Sequence, residues 1–257
     1  MKPLITLKNI SKHFVEEGDK SVVALADISL EIFPGEIFVF VGPSGSGKST
    51  LLRIISGLEK DFKGEVIFGD EVRQHDFSFV FQQFALLPWL TVAENISVGL
   101  VARNLSIHHI KERVNKELKR FGLERFANEH PRELSGGMRQ RVGIARALAT
   151  DPKVIFMDEP FSELDSFTSE ELRKELLRIW ENPAWGEEVA HTQPRPTIVM
   201  VTHIVEEALE LADRVAVLTP RPARIERIVT NNLPRPRALR SQEFYTLEDE
   251  LYRLIKP

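Results

Sequence analysis

Gly42-Pro43-Ser44-Gly45-Ser46-Gly47-Lys48-Ser49-Thr50 gathers glycines, one lysine and two adjacent hydroxyls into one short run. Glycines let backbone N–H groups turn inward and surround phosphate oxygens, and the N-terminus of a following helix favours negative charge. Lys48 is placed to reach the β- and γ-phosphates of a nucleotide, and the Ser49 hydroxyl to bind Mg²⁺. A structural glycine turn is the bland alternative. The context weighs against it, because the run follows an apolar stretch and opens a helical one. Farther along, Val154-Ile155-Phe156-Met157-Asp158-Glu159 ends an apolar strand on two carboxylates. Open α/β sheets bind ligands at the carboxyl ends of their strands. Asp158 suits the Mg²⁺ shell, and Glu159 suits a base that orients and polarises an attacking water.

Leu134-Ser135-Gly136-Gly137-Met138-Arg139-Gln140-Arg141 offers a second anion site. Ser135 and two glycines open a helix expected to run to about Ala149, with N–H groups free to face a phosphate. A merely capped helix would not need both glycines. This segment resembles the signature of the ATP-binding cassette (ABC) ATPases, and the resemblance extends over nearly the whole chain.

The resemblance implies further roles. Gln82, in Val80-Phe81-Gln82, matches the glutamine that senses Mg²⁺ and γ-phosphate. His203, after Val201-Thr202, matches the switch histidine, although a lone histidine after a strand is more often structural. Asp165, in Ser162-Glu163-Leu164-Asp165, matches the loop joining two active sites. Phe14 matches the aromatic that stacks on adenine, although an aromatic there could equally be core. The implied working unit is a head-to-tail dimer. Each ATP would lie between one phosphate loop (Gly42, Pro43, Ser44, Gly45, Ser46, Gly47, Lys48, Ser49, Thr50) and Ser135 and Gly137 of a second copy. The implied cofactors are ATP and Mg²⁺. Two positions depart from the pattern: Glu163 stands where alanine is usual, and Ile204 where aspartate usually follows the histidine. Neither removes a group the chemistry requires.

The elements that must position these residues can be read from periodicity. Residues 4–10 and 22–33 read as strands, and the continuous apolar run 37–41 as a strand buried on both faces. Helical character spans 49–58. Thr91 and Glu94 are spaced as a capping box for a helix over about 91–103. Ile107, Ile110, Val114, Leu118 and Phe121 mark a second amphipathic helix. Strands are expected at 154–157, 198–201 and 215–218, with helices at about 168–180 and 205–212 and a last amphipathic helix over 241–257. Strands alternating with helices indicate an α/β fold with a mostly parallel core sheet. The resemblance makes this a P-loop NTPase (RecA-like) core with a mixed sheet, an antiparallel β subdomain and an inserted α-helical subdomain. One ABC ATPase domain over 1–257 is expected. Its nucleotide-binding core would take 1–85 and 151–225, its helical and signature part 86–150, and its C-terminal extension 226–257. Residues 182–196, rich in proline, form an unusually long loop.

Composition bounds the function. The 257 residues carry 34 basic and 38 acidic side chains, a net charge of −4, so no nucleic-acid footprint is expected. The absence of cysteine excludes disulfides, thiolate metal sites and cysteine nucleophiles. The N-terminus has no apolar core of a secretory signal, and no apolar run approaches the ~20 residues of a membrane span. Work at a membrane would therefore need a separate spanning partner. The short stretch between Lys48 and Leu134 and the single motif set favour a transporter subunit over a soluble regulatory or repair ATPase. Gln82–Thr91, Leu218–Ile225 and Leu233–Arg237 are similar to the ATPases of nitrate, sulfonate (taurine) and bicarbonate importers, though Ala223 replaces a usual glycine. That resemblance implies transmembrane permease partners, indirectly a solute-binding protein, and a peripheral place on the cytoplasmic face of the inner membrane. Trp89, in the apolar segment Phe84–Leu90, is a plausible anchor for the permease.

Overall fold

The computed structural model describes residues 2–15, 21–182 and 195–255. In chain order its strands are β1 (Ile5–Val15), β2 (Ser21–Ile32), β3 (Ile37–Val41), β4 (Lys63–Phe68), β5 (Phe77–Val80), β6 (Val154–Asp158), β7 (Thr197–Thr202), β8 (Arg214–Leu218) and β9 (Ile225–Thr230). The helices are α1 (Lys48–Ile55), α2 (Val92–Ala102), α3 (Ile107–Arg120), α4 (Gly136–Leu148), α5 (Ser166–Glu181), α6 (Val205–Leu211) and α7 (Gln242–Ile255). The chain forms two compact units: Met1–Gln74 with Ile179–Pro257, and His75–Arg178. The second unit thus contains β5, β6 and most of α5 besides the helical segment expected at 86–150. Most of the 182–196 loop lies outside the described residues.

The first unit holds two sheets. β1 pairs antiparallel with β2 on one side and β4 on the other. Ile5, Leu7 and Ile10 pair with Ile32, Leu30 and Ile28, and all six side chains are buried. β3 runs parallel to both β7 and β8, and β9 closes the edge antiparallel to β8. Every residue of β3 and β7 is buried. That explains the apolar runs 37–41 and 198–201, since a parallel strand covered on both faces has no polar side. Each such Val, Ile or Phe contributes about 1.5–3 kcal/mol by leaving water.

The second unit pairs β5 with β6 in parallel, and β6 is buried throughout. Thr91 and Glu94 form the expected capping box of α2. Ser106 caps α3 and Ser135 caps α4, each by accepting from a backbone N–H three residues on. α3 buries Val114 and Leu118, as its periodicity requires.

Strands β4, β5 and β9 carry no clear periodic signal. β4 (KGEVIF) exposes or half-exposes every residue, and β9 leaves only Val229 buried. Both are edge strands, and an edge with one wet face does not need an apolar run.

Candidate nucleotide site

In the first unit the phosphate loop joins the end of β3 to α1. Gly42 and Gly47 are set by close approach of the chain. A Cβ on Gly42 would lie 2.8 Å from the Leu218 carbonyl oxygen, at the end of β8. Gly47 has φ +105°, and a Cβ there would lie 2.9 Å from Leu25 Cδ2 on β2. The loop is therefore backed by β8 and by the antiparallel sheet, and side chains at these positions would push it off both.

Lys48 is only 4% exposed. Its ammonium donates to the carbonyls of Gly42 (3.0 Å) and Pro43 (3.1 Å), which curls the loop around the charge. The Ser46 Nα donates to the Pro43 carbonyl at 3.2 Å, and the buried Ser46 hydroxyl has no hydrogen-bond partner among the described residues. A buried unsatisfied hydroxyl costs roughly 1–3 kcal/mol, and an anion in the loop would give it a partner. Ser44 and Gly45 are exposed at the crest, and Ser49 and Thr50 are half-exposed. This cradle of loop, buried cation and helix N-terminus fits a polyphosphate.

Phe14, near the end of β1, is 38% exposed, so it is not a core residue. The Lys12 ammonium lies 5.0 Å from its ring centroid. Lys12 is itself buried; burial pulls its pKa down, but hydrogen bonds to Asp61 and Glu59 outweigh this and leave it raised. A fixed cation against the ring leaves part of the ring in solvent, where a planar base can stack. His203 also belongs to this unit and is exposed directly after β7.

The second unit carries the carboxylates. Asp158 ends β6 and is buried. Glu159 follows with φ +45°, a left-handed conformation that costs a non-glycine residue of order 1–3 kcal/mol. The turn is held by Ser162, whose hydroxyl and Nα donate to the Glu159 carbonyl at 3.0 and 3.3 Å. Strain of this kind collects where a side chain must be aimed.

Gln82 is exposed in the turn after β5. Two residues on, Phe84 and Ala85 both have positive φ, 54° and 45°. Arg146 of α4 secures them by donating to the Ala85 carbonyl (2.7 Å) and the Phe84 carbonyl (3.0 Å). Burial lowers the pKa of Arg146. Arg139, on the same helix, lies 5.7 Å from the Phe84 ring centroid. The helix that carries the signature therefore grips the glutamine loop with two arginines. Sequence reading missed Arg146, because nothing in its local spacing reveals a partner more than sixty residues away. It also missed Asn95. This fully buried amide on α2 donates to the carbonyls of Leu87, Leu90 and Thr91 and accepts from Leu87 Nα. It shapes the turn that leaves Trp89 70% exposed.

At the signature, Ser135 is exposed and caps α4 by accepting from Met138 Nα at 3.3 Å. The second glycine has a structural cause that the sequence did not suggest. A Cβ on Gly137 would lie 2.4 Å from Thr168 Cγ2. Thr168 is fixed in turn by Asp165, whose carboxylate accepts from its Nα (3.0 Å) and hydroxyl (2.7 Å) at the start of α5. Those bonds hold the Asp165 carboxyl below the usual range. Asp165 thus orients the joining loop against the signature helix within one chain. Glu163 is exposed on that loop. Ile204 stands at the N-cap of α6 and offers no side-chain acceptor.

Comparison with known proteins agrees with these features. The ABC transporter family model matches residues 25–162, more than half of the chain. A nitrate import ATP-binding protein, NrtD of Synechocystis sp., is 42% identical over 92% of this chain and 89% of its own length. An aliphatic sulfonates import ATP-binding protein, SsuB of Bacillus cereus, is 38% identical over 96% of this chain and 94% of its own. Among solved structures, a dimeric post-hydrolysis state of the ATP-binding cassette MJ0796 bound to ADP and Pi is similar, with a TM-score of 0.74 and 36% identity over 89% of this chain and 99% of that one. By sequence and by fold alike, the chain belongs to the ABC transporter family and is one of its ATP-hydrolysing cassettes.

Proposed function

We propose that this cassette energises a membrane importer of small solutes of the nitrate or sulfonate type, through closure of a dimer of cassettes on ATP. The observation that carries this reading is the near full-length similarity to two import ATPases. The similar cassette MJ0796 is a dimer, which supports a second copy as partner.

In this reading ATP is anchored by the phosphate loop, with Lys48 on the β- and γ-phosphates and Phe14 stacked on adenine. Ser135 and Gly137 of a second copy present the N-terminus of their helix to the γ-phosphate. Closure therefore completes a site that one chain only half supplies. Catalysis is then positioning plus charge stabilisation. Glu159 orients and polarises the water, and His203 and Gln82 hold contact with the γ-phosphate end.

Mg²⁺ fits the donor set. Among the described residues no cluster of three His, Cys, Asp or Glu side chains could cage a metal. Mg²⁺ in phosphoryl-transfer sites needs only one or two carboxylates and completes its shell with other oxygens, phosphate and water. Ser49, Asp158 and Gln82 would supply those oxygens, and the ion would neutralise charge between the phosphates.

No helix among the described residues is long and apolar enough to cross a membrane, and this reading takes a membrane-spanning permease as the partner for transport. The surface that would meet it lies in the second unit. A cavity of about 410 Å³ is lined by Phe77, Phe79, Phe81, Ala85, Arg103 and Arg146 among others. Its lining is mainly apolar with two arginines, and it includes Ala85 of the strained glutamine loop. Trp89 is a ready anchor for a helix of the partner. The subunit would sit peripherally on the cytoplasmic face.

The test is reconstitution of the cassette with its permease in liposomes, followed by ATP-dependent uptake of nitrate and of short alkanesulfonates. Uptake of one class that requires Glu159 supports the reading. ATPase activity with no stable complex with any membrane-spanning protein overturns it, in favour of a soluble regulatory ATPase.

A further inference from the structure

The short helix α6 begins two residues after His203, and its ends are held unequally. Ile204 gives its N-terminus no side-chain cap, whereas Thr91, Ser106 and Ser135 cap α2, α3 and α4. Its C-terminal carbonyls, by contrast, receive three side chains from one distant segment. Asn231 Nδ2 donates to the Leu209 carbonyl at 2.8 Å. Arg237 Nη1 donates to the carbonyls of Leu209 and Glu210, each at 2.9 Å. Arg235 Nη2 donates to the Leu211 carbonyl. Arg235 is itself braced by Asp213 Oδ1 at 2.7 Å and by stacking 4.7 Å from the Trp180 ring centroid.

These donors satisfy carbonyls that a helix end leaves open, and cations there complement the helix dipole. Arg237 is only 8% exposed. Burial, with Arg235 beside it, lowers its pKa to about 10. Burying a cation is costly unless its donors are used; here Nη1 serves two carbonyls of one seven-residue helix, and Nε donates to the Leu233 carbonyl at 3.4 Å.

The first turn of that helix shows what the grip serves. Glu207 is 2% exposed, and its Oε2 accepts from the Thr202 hydroxyl at 2.7 Å. Thr202 Oγ1 also accepts from Ile204 Nα at 3.1 Å. These two bonds bracket His203: one residue before it is tied to α6, and the residue after it is tied back to the strand end. Part of the hold on the His203 turn therefore comes from α6, and α6, with no side-chain cap at its N-terminus, is held by its buried apolar face and by its other end.

We infer that Arg237, with Asn231 and Arg235, is a positioning residue for ATP hydrolysis: it anchors α6 so that Glu207 and Thr202 hold the His203 turn in its working geometry. This rests on the role assigned to His203 above. The C-terminal segment is then part of the hydrolytic apparatus through α6. Small misplacements of a catalytic group can cost up to ~100-fold in rate.

The experiment measures kcat and KM for MgATP, with thermal stability, on the full chain for Arg237→Ala, Arg237→Lys, Thr202→Val, His203→Ala and the pair Arg237→Ala with Ile204→Asp. Arg237→Ala and Thr202→Val should each lower kcat roughly tenfold, well inside that limit. Their KM should stay near wild type, because Phe14 and the phosphate loop are untouched. Arg237→Lys should fall between, since an ammonium reaches fewer carbonyls than a guanidinium. Ile204→Asp supplies the missing N-cap and should restore much of the kcat lost in Arg237→Ala. If Arg237→Ala does not fold, Arg237→Lys and Thr202→Val decide the matter. Folded Arg237 and Thr202 variants with wild-type kcat, beside a His203→Ala that has lost hydrolysis, overturn the inference alone. A His203→Ala that hydrolyses ATP normally overturns the assignment of His203, and the inference with it.

Discussion

Replacing Arg146 with alanine removes both hydrogen bonds that hold the glutamine loop, to Phe84 (3.0 Å) and Ala85 (2.7 Å). Hydrogen bonds from a charged donor contribute about 1.5–3 kcal/mol each, so the gross loss is about 3–6 kcal/mol. The bond to Ala85 is exposed, and water replaces much of it. The loop can also relax. Phe84 and Ala85 are left-handed, which costs roughly 1–2 kcal/mol per residue. Once released, both residues regain that energy by leaving the conformation. The net stability loss should therefore be only about 1–2 kcal/mol, a shift of a few degrees in Tm. The larger effect should fall on Gln82, two residues from the released turn, as lower kcat and weaker coupling of hydrolysis to the permease. Ala85→Gly checks the strain separately. It removes the left-handed cost but adds about 0.5–1 kcal/mol of unfolded-state entropy. The wild-type background should thus gain up to about 1 kcal/mol, and the Arg146→Ala background less. Urea denaturation read by circular dichroism, with ATPase assays on the same samples, measures all four proteins. Loss of more than ~5 kcal/mol with no gain from Ala85→Gly would mean that Arg146 is an ordinary structural buried cation and would refute the strained-loop account.

Glu159→Gln should retain ATP binding and accumulate an ATP-bound dimer, detectable by size exclusion; hydrolysis at the wild-type rate would remove Glu159 as the base. Trp89→Ala should loosen the complex with the permease while leaving basal ATPase activity largely in place, and pull-down yields alongside turnover would show it. Glu117 is 2% exposed, and burial raises its carboxyl above the ordinary value of 4.5 against the pull of Arg120, Lys116 and Arg113. The folded state therefore holds this proton more tightly than the unfolded chain. The resulting stabilisation is full below about 4.5 and lost as pH rises through the folded pKa. Glu117→Gln should become steadily more stable relative to wild type as pH is raised from 4 to 7, and a constant difference across that range would contradict the shift.

Much of the candidate site was legible along the chain because it is local. The phosphate loop, the Asp158-Glu159 pair and the capped helix at Ser135 each need a fixed residue order over a few positions, and their backbone geometry follows from that order. The buried strands β3, β6 and β7 were equally plain, since a strand covered on both faces must be apolar throughout. The strands β4, β5 and β9 were not, because they are short and bury at most one residue each, which leaves neither an apolar run nor an alternation long enough to read. Sequence alone also could not say why Gly137 is glycine, since the reason is Thr168 on another helix. It could not tell whether Phe14 is core, which its exposure decides. Above all, it was silent on the ties that hold the candidate site residues in place. Arg146 on the glutamine loop, Asn95 beneath Trp89, Glu207 on Thr202, and Arg237 on the end of α6 are single polar side chains whose partners are set by tertiary packing. A hydrogen bond between groups far apart in sequence has no period and no spacing. Only the folded chain decides which buried donor meets which acceptor.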